Sequence, residues 1–450
     1  MFMRKPVAAL LYLWLMIGFG VSFADSTSLE PWKKANIDWQ QFKGTQLTVL
    51  ADAQPAFVAL KPYLPVFERL TGIRVGYITV EQSEMRKRRE VDLVSRGGVY
   101  DVVPIGVTFL GQAHQNNWLT PLKPFIDDKQ LTDPDWYMFD DLSSNSLKLC
   151  TIDGTLLSVP FDFSAPVLFY RKDLFARYNI QIPDTYEEMV EAKRELQRGL
   201  DKDGLEGVYA FASRTRAGAG LNTWTVIPAI RSYGGSILDQ NNQPVFNSAA
   251  SIKALEVYRD MVTGYGNPPN SQLLHFYEIR QQFREGRLAA AFLASHFFNE
   301  IDKPDKSPIW DQWDAAKLPR GPVSRETSPW AWAFAINSAS KNKKAAWMFL
   351  QWATSEPTAK LLNTGGSPAR RRVWQSEYFS KLNAPGLLDA VDWIFEEGTN
   401  ARIQSGMSEF PVAGEIFSRA FNQIFYGAEV KVTLDKAVIE VDKVMQSKDE

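Results

Sequence analysis

Cysteine is almost absent from this chain: Cys150 is the only one in 450 residues. One thiol rules out an internal disulfide, so the fold must be held by its apolar core. A chain of this length forms two or three domains of ordinary size. The plain reading of Cys150 is a small buried residue. Histidine is also scarce: His114, His275 and His296 form no HExxH or other close metal-ligand spacing, and no metal or other cofactor is expected. There is no GxSxG elbow and no GxxxxGK[ST] phosphate loop. Gly218-Ala219-Gly220 reads as a loop, because it does not follow a strand in dinucleotide-binding register. Excess charge of one sign is missing too. Lys and Arg number 50 against 52 Asp and Glu, which excludes the basic surface of a nucleic-acid binder. Carboxylate pairs such as Asp140-Asp141 and Glu187-Glu188 are explained by solvation in a loop and a helix start. A glycosidase needs two acids facing across a sugar; Glu81 and Asp162 keep that alternative open.

Only one long apolar run is present, and it lies at the start. Arg4 and Lys5 precede an uncharged, mostly apolar stretch from Val7 to Phe23, and the small residues Ser22 and Ala24 stand before Asp25. This layout predicts a secretory signal peptide over residues 1–24, the alternative being an uncleaved anchor. Its removal leaves 48 basic and 52 acidic residues, a formal charge of -4. No cysteine at the cleavage point offers a lipid anchor, so the mature chain is expected free in a periplasm. Aromatics are plentiful, with 14 Trp. A large core uses them, but an indole also covers the C–H face of a sugar ring while polar neighbours bond its hydroxyls.

Strands and helices alternate along the chain. Gln46–Ala51, Ile73–Val80 and Tyr100–Ile105 read as strands, with helices over Pro55–Leu70 (ended by Gly72) and Glu84–Arg96 (ended by Gly97-Gly98). Further strands are expected at Leu156–Val159, Val167–Tyr170, Ala289–Leu293 and Ala331–Ile336. Helices are expected at Thr185–Gln197, Trp224–Tyr233, Ala249–Thr263, Phe276–Arg284 and Lys343–Trp352. Residues 303–329 read as irregular and the last 80 or so as helical. This alternation predicts an α/β protein with mainly parallel sheets flanked by helices. Ligands then bind beyond the carboxyl ends of the strands, at Asp52–Gln54, Glu81–Ser83 and Gly106–Phe109.

Four blocks carry a family resemblance: LTVLADAQPAFVALKPYLPVFERLTGIRVGYITVEQSEM; YDVVPIGVTFLGQAHQNNWLTPL; LSVPFDFSAPVLFYRKDLFARYNIQIPDTYEEMVEAKREL; and SPWAWAFAINSASKNKKAAWMFLQWATSEPTAKLL followed by GGSPARR. The FYRKDLF run followed by IPDTYEEM is the most specific. Together the blocks run in the expected order from residue 47 to residue 371. The sequence resembles the extracellular solute-binding proteins that serve ABC importers for sugars, the maltose-binding-protein-like group with its sugar-alcohol and glycerol-phosphate binders. The resemblance implies a two-lobed periplasmic-binding-protein fold with a ligand cleft between the lobes. It implies crossovers near Pro160–Ser164, Pro329–Phe334 and Gly365–Arg370. The lobes would be residues 25–162 plus 334–366, and 163–333 plus 367–450. It also implies capture of a sugar or sugar alcohol by closure, and delivery to the transmembrane subunits of an ABC permease. Trp330-Ala331-Trp332 departs from the glycines frequent in the fourth block and puts aromatic bulk at a hinge.

Each candidate ligand residue has a structural reading beside its functional one. Gln54 and Glu81 end strands but can equally cap the next helix. Thr108 and Phe109 follow the third strand, with Phe109 closer to core than platform. Phe161 and Asp162 straddle the first crossover, where a carboxylate suits a vicinal diol or caps the hinge loop. Trp224 starts a helix. Ser295 and Phe297 end a strand, with His296 between them pointing away. At most one of Trp330 and Trp332 is expected to face the cleft, and Trp330 is preferred. Arg370 can clamp a hydroxyl, carboxylate or phosphate, or brace the hinge; two or more cleft cations would favour an anionic ligand. The expectation is a monomeric binder without catalysis. The alternatives are an organic phosphate, oligopeptide or polyamine as ligand, or a secreted glycoside hydrolase.

Overall fold

The computed structural model describes residues 26–218, 220–362, 366–382, 384–396 and 409–446. The expected signal segment, Gly365 of the third crossover and Ala219 of the glycine turn lie outside the described residues. Among the described residues, no helix is long and apolar enough to cross a membrane.

Eleven strands form among the described residues. The first sheet joins β1 (Gln46–Asp52), β2 (Arg74–Val80), β3 (Val102–Gly106), β6 (Val159–Ser164) and β11 (Trp330–Ile336) in the order β2-β1-β3-β11-β6. The second joins β7 (Pro166–Arg171), β8 (Tyr209–Ala212), β9 (Leu288–Ala294) and β10 (Trp313–Ala316) in the order β10-β7-β9-β8. A small hairpin pairs β4 (Thr151–Ile152) with β5 (Thr155–Leu156).

The sheets are mixed, which corrects the expectation of mainly parallel ones. β1 runs parallel to β2 and β3, and β8 to β9. β11 is antiparallel to both of its neighbours, and β7 to both of its own. Apolar patterning identifies a strand but carries no information about its direction. β11 runs backwards because the chain re-enters the first sheet from the second and starts at the edge where the two meet.

Local chemistry explains most element ends. The helix expected over Pro55–Leu70 is divided into Pro55–Leu60, a 3-10 turn Lys61–Tyr63, and Leu64–Thr71. Pro62 and Pro65 lack the amide hydrogens that a continuous helix needs. Gly72 ends the last piece at φ 69°, a left-handed conformation that costs glycine little. Thr185 caps the helix Tyr186–Lys202, and Glu188 closes a capping box with it. The four-residue strands β8 and β10 escaped the sequence reading, being too short to display a period. β9 is buried throughout. Leu288, Ala291 and Leu293 pack in one core, and Ala289, Ala290 and Phe292 in the other. A strand covered on both faces reads as a continuous apolar run.

The first core centres on Phe57, Phe161, Trp332 and Phe334, whose ring centroids lie 4.9 to 6.1 Å apart in contacting pairs. The second packs helices Tyr186–Lys202, Ala249–Val262 and Phe410–Phe425 over the other sheet. Cys150 is buried, and burial pushes its thiol up to about 12, which leaves it unreactive.

Candidate ligand cleft

Strand direction brings two sheet edges together. β1 and β3 are parallel and end at Asp52 and Gly106. β11 pairs Trp332 with Gly106 in the opposite sense, so its first residue, Trp330, stands at the same carboxyl edge. β6 ends there as well, with Ser164 opposite Trp330. In the second sheet β8 and β9 are parallel and end at Ala212 and Ala294, and β7 begins at Pro166 opposite Ala294. Only Ala165 separates Ser164 from Pro166. The carboxyl edges of both sheets therefore meet at one joint, the place where open α/β sheets take ligands.

Trp330 occupies this joint and is the only residue of β11 that is not buried. A Cβ added to Gly106 would lie 3.1 Å from its Cζ2, and one added to Gly220 would lie 3.8 Å from its Cζ3. The indole thus reaches from the end of β3 to the loop after β8, and the glycines leave room for it. Trp332 also abuts Gly106, with 3.3 Å from Cζ3 to an added Cβ, and its ring centroid is 5.8 Å from that of Trp330. The two rings thus lie on the same side of β11. Residues two apart on a strand share a face; burial separates them, Trp332 packing edge-on to Phe57.

Polar groups line the wall beside the first sheet. Burial raises the Asp52 carboxyl to about 6, opposed by a 3.3 Å bond from Gln82 Nε2. Arg86 is half-buried; burial lowers its pKa and the Asp52 carboxylate opposes the shift. Thr108 is half-buried in the first turn of helix Val107–Gln115. The wall beside the second sheet holds Arg214, two residues beyond the end of β8. Its Nη1 donates to Gly220 O at 3.3 Å, and its Nη2 meets His275 Nε2 at 3.1 Å. His275 stacks on Tyr277 with ring centroids 5.0 Å apart. Burial, then the Arg214 charge, holds the His275 imidazole down at about 4, so it is neutral at physiological pH. His296 lies against Phe276, and burial lowers it to about 3.

The other residues singled out from the sequence have structural duties. Gln54 is the half-buried N-cap of helix Pro55–Leu60 and makes no capping bond with its side chain. Glu81 is exposed and accepts from Ser83 N at 2.8 Å, capping helix Gln82–Ser95. Phe109 stacks on Trp118, with the Arg89 guanidinium 3.9 Å from its ring centre. Phe161 belongs to the core. Asp162 is buried in β6 and accepts from Ser367 N at 2.6 Å, tying the third crossover to the first; desolvation raises its carboxyl to about 7. Trp224 is buried and donates from Nε1 to Ser328 O at 2.7 Å. Ser295 exchanges bonds with Ala165, its amide donating to Ala165 O at 2.9 Å and its Oγ accepting from Ala165 N at 3.4 Å. Phe297 packs on Phe169 and Phe283 in the core, whereas His296 stays half-buried beside Phe276. The side chains leave this strand end in the sense opposite to the one expected.

Arg370 is corrected most sharply. It is 1% exposed, donates from Nε to Thr354 O at 2.6 Å and from Nη1 to Met138 O at 3.0 Å, and pairs with Asp141 at 3.3 Å. Its guanidinium carbon lies 4.9 Å from the Tyr137 ring centre. It braces the crossover instead of meeting a ligand at the cleft. Arg214 was missed because its strand was missed. Asp52 and His296 lay within strand-end segments that were named, and alternation along the strands was the signal that would have selected them.

Residues 47–360 match the family profile for bacterial extracellular solute-binding proteins. The chain belongs to that family. A mannitol-binding protein from Pseudomonas aeruginosa is 29% identical to this solute-binding protein over 321 residues, covering 70% of each chain. An erythritol/L-threitol-binding protein from Mycolicibacterium smegmatis is 24% identical and covers 76% of this chain and 74% of its own. Among solved structures, an ABC-transporter solute-binding protein from Agrobacterium radiobacter in complex with ribitol superposes with a TM-score of 0.78 at 25% identity, over 89% of this chain and 99% of that one. One from Agrobacterium vitis with bound D-mannitol gives 0.76 at 25% identity, over 90% and 99%. The two sheets of this solute-binding protein, each flanked by helices, are the two lobes of the periplasmic-binding-protein fold.

Proposed function

We propose that this protein is the substrate-binding component of an ABC importer, capturing a sugar or sugar alcohol between its lobes and handing it to the permease. The observation that carries the reading is the half-exposed indole of Trp330 at the junction of two carboxyl edges, flanked by Asp52, Arg86 and Thr108 on one side and Arg214 on the other. A flat apolar face beside charged hydrogen-bonding groups suits a molecule with a carbon backbone and many hydroxyls. The polyols named for its relatives support the same class. The expected bounds at 162/163 and 333/334 fall inside β6 and β11 of the first sheet, so the lobes are taken to part at 164–166 and 329–330 instead, with the third crossover near 366–370. A few residues near 164–166, 329–330 and 366–370 would absorb the closing rotation. The protein acts as a monomer in the periplasm after loss of residues 1–24, without turnover and without binding nucleic acid. Family membership and the division of Glu81 and Asp162 between a helix cap and a hinge support binding over hydrolysis.

Calorimetry and thermal melts against mannitol, ribitol, erythritol, maltose and their analogues test this. One class should bind without being converted, raising stability by about 2.7 kcal/mol at a hundredfold excess over Kd. If every sugar and polyol leaves the melting temperature unchanged, the proposed ligand class is wrong.

A further inference from the structure

Most of the buried and half-buried arginines form ion pairs, while Arg86, Arg284 and Arg214 form none among the described residues. Arg370 meets Asp141, Arg280 meets Glu300, Arg231 meets Glu326, Arg325 meets Asp184, Arg171 meets Asp173, and Arg89 meets Glu90. Arg214 stands at the cleft without such a pair. Among the described residues no carboxylate pairs with it. Its partners are a backbone carbonyl and a neutral imidazole. Its Nε is buried with no hydrogen-bond partner among the described residues.

The neighbours do not supply the missing charge. Glu278 is exposed, and its carboxylate accepts from the His275 amide at 3.1 Å; it acts on Arg214 only at a distance. His275 accepts from the guanidinium and carries no negative charge. Arg86, on the opposite wall, adds a second positive charge that disfavours the Arg214 cation. A guanidinium withdrawn from water without a counter-ion is costly, and hydroxyl oxygens compensate it less well than an anion, which adds the attraction of opposite charges and can accept two parallel bonds. The unpaired cation stands at the end of β8 beside Gly220, the residue against which the Trp330 indole rests.

We infer that the ligand carries an anionic group, a carboxylate or a phosphate, at one end of its polyhydroxylated chain, and that Arg214 receives that group while the carbon chain lies along Trp330. The proposal rests on the cleft reading above and narrows it from polyols in general to polyol acids or polyol phosphates. His275 is the positioning residue: its Nε2 bond orients the guanidinium, and as a neutral group it leaves the full positive charge for the ligand.

Titration calorimetry of the full chain with matched pairs tests it: mannitol against mannonate and mannitol 1-phosphate, and erythritol against erythronate and erythritol 4-phosphate. The expected result is roughly 10- to 100-fold tighter binding of one anionic member, the range for a hydrogen bond to a charged group. That preference should shrink with added salt. The carboxylate and phosphate arms decide which anion is used. Arg214→Gln should bring the anionic-to-neutral affinity ratio close to one, and Arg214→Lys should keep part of it; circular dichroism checks that both variants fold. Neutral polyols binding as tightly as both anionic forms, or an unchanged ratio in folded Arg214→Gln, overturns the anionic assignment and leaves the polyol reading standing. Failure of all six compounds to bind counts against both.

Discussion

Arg370 offers the sharpest test of the division between hinge and cleft. Replacing it with Met keeps much of the side-chain volume and removes the charge. Asp141, with a side chain 5% exposed, would then keep only the Arg372 amide at 3.0 Å. Thr354 O and Met138 O would each lose a donor. Breaking a buried pair from one side costs about 3–5 kcal/mol. With an unfolding entropy of about 2.1 cal/mol/K per residue, a 4 kcal/mol loss in a chain of this length lowers Tm by roughly 4–5 °C. Differential scanning calorimetry measures this directly. The double variant Arg370→Met/Asp141→Asn should recover part of the loss, because the stranded carboxylate is gone. Ligand affinity in the folded variants should stay near that of the wild type. A Tm change below about 1 °C together with abolished ligand binding would refute the reasoning and return Arg370 to the ligand site.

Trp330→Ala should weaken ligand binding while leaving Tm nearly unchanged. Trp332→Ala should cost about 3–5 kcal/mol by opening a cavity beside Phe57, a contrast that calorimetry and titration separate. Asp162 has its carboxyl raised from 3.8 to about 7. The folded state therefore holds a proton that the unfolded chain releases near pH 4, and stability falls as pH rises from about 4 to 7, by on the order of 4 kcal/mol. Asp162→Asn, which keeps an acceptor for Ser367 N, should gain on the wild type in Tm between pH 5 and pH 8; a constant gap between the two removes this account. Glu81→Ala should lose about 1 kcal/mol of helix capping in a urea melt and leave ligand affinity unaltered.

Legibility in the sequence followed the reach of each interaction. Strand β1, the start of the helix near Thr185 and the stop at Gly72 depend on residues within a few positions of one another, so periodicity and end chemistry sufficed. β8 and β10 have four residues each, too few for a period to emerge, and with β8 went Arg214. The pairing of Trp330 and Trp332 on one face was available from strand geometry alone.

The sequence by itself determined the α/β class, the elements, the family blocks and the scarcity of catalytic groups, because these depend on composition and short-range order. Tertiary structure alone decided which charges are paired. Arg370 and Arg214 are chemically identical in the sequence. One is satisfied by Asp141, 229 positions away, and the other ends at a sheet edge beside a neutral histidine. Whether a buried cation is spent on the fold or kept for a ligand depends on which distant carboxylate the packing brings to it.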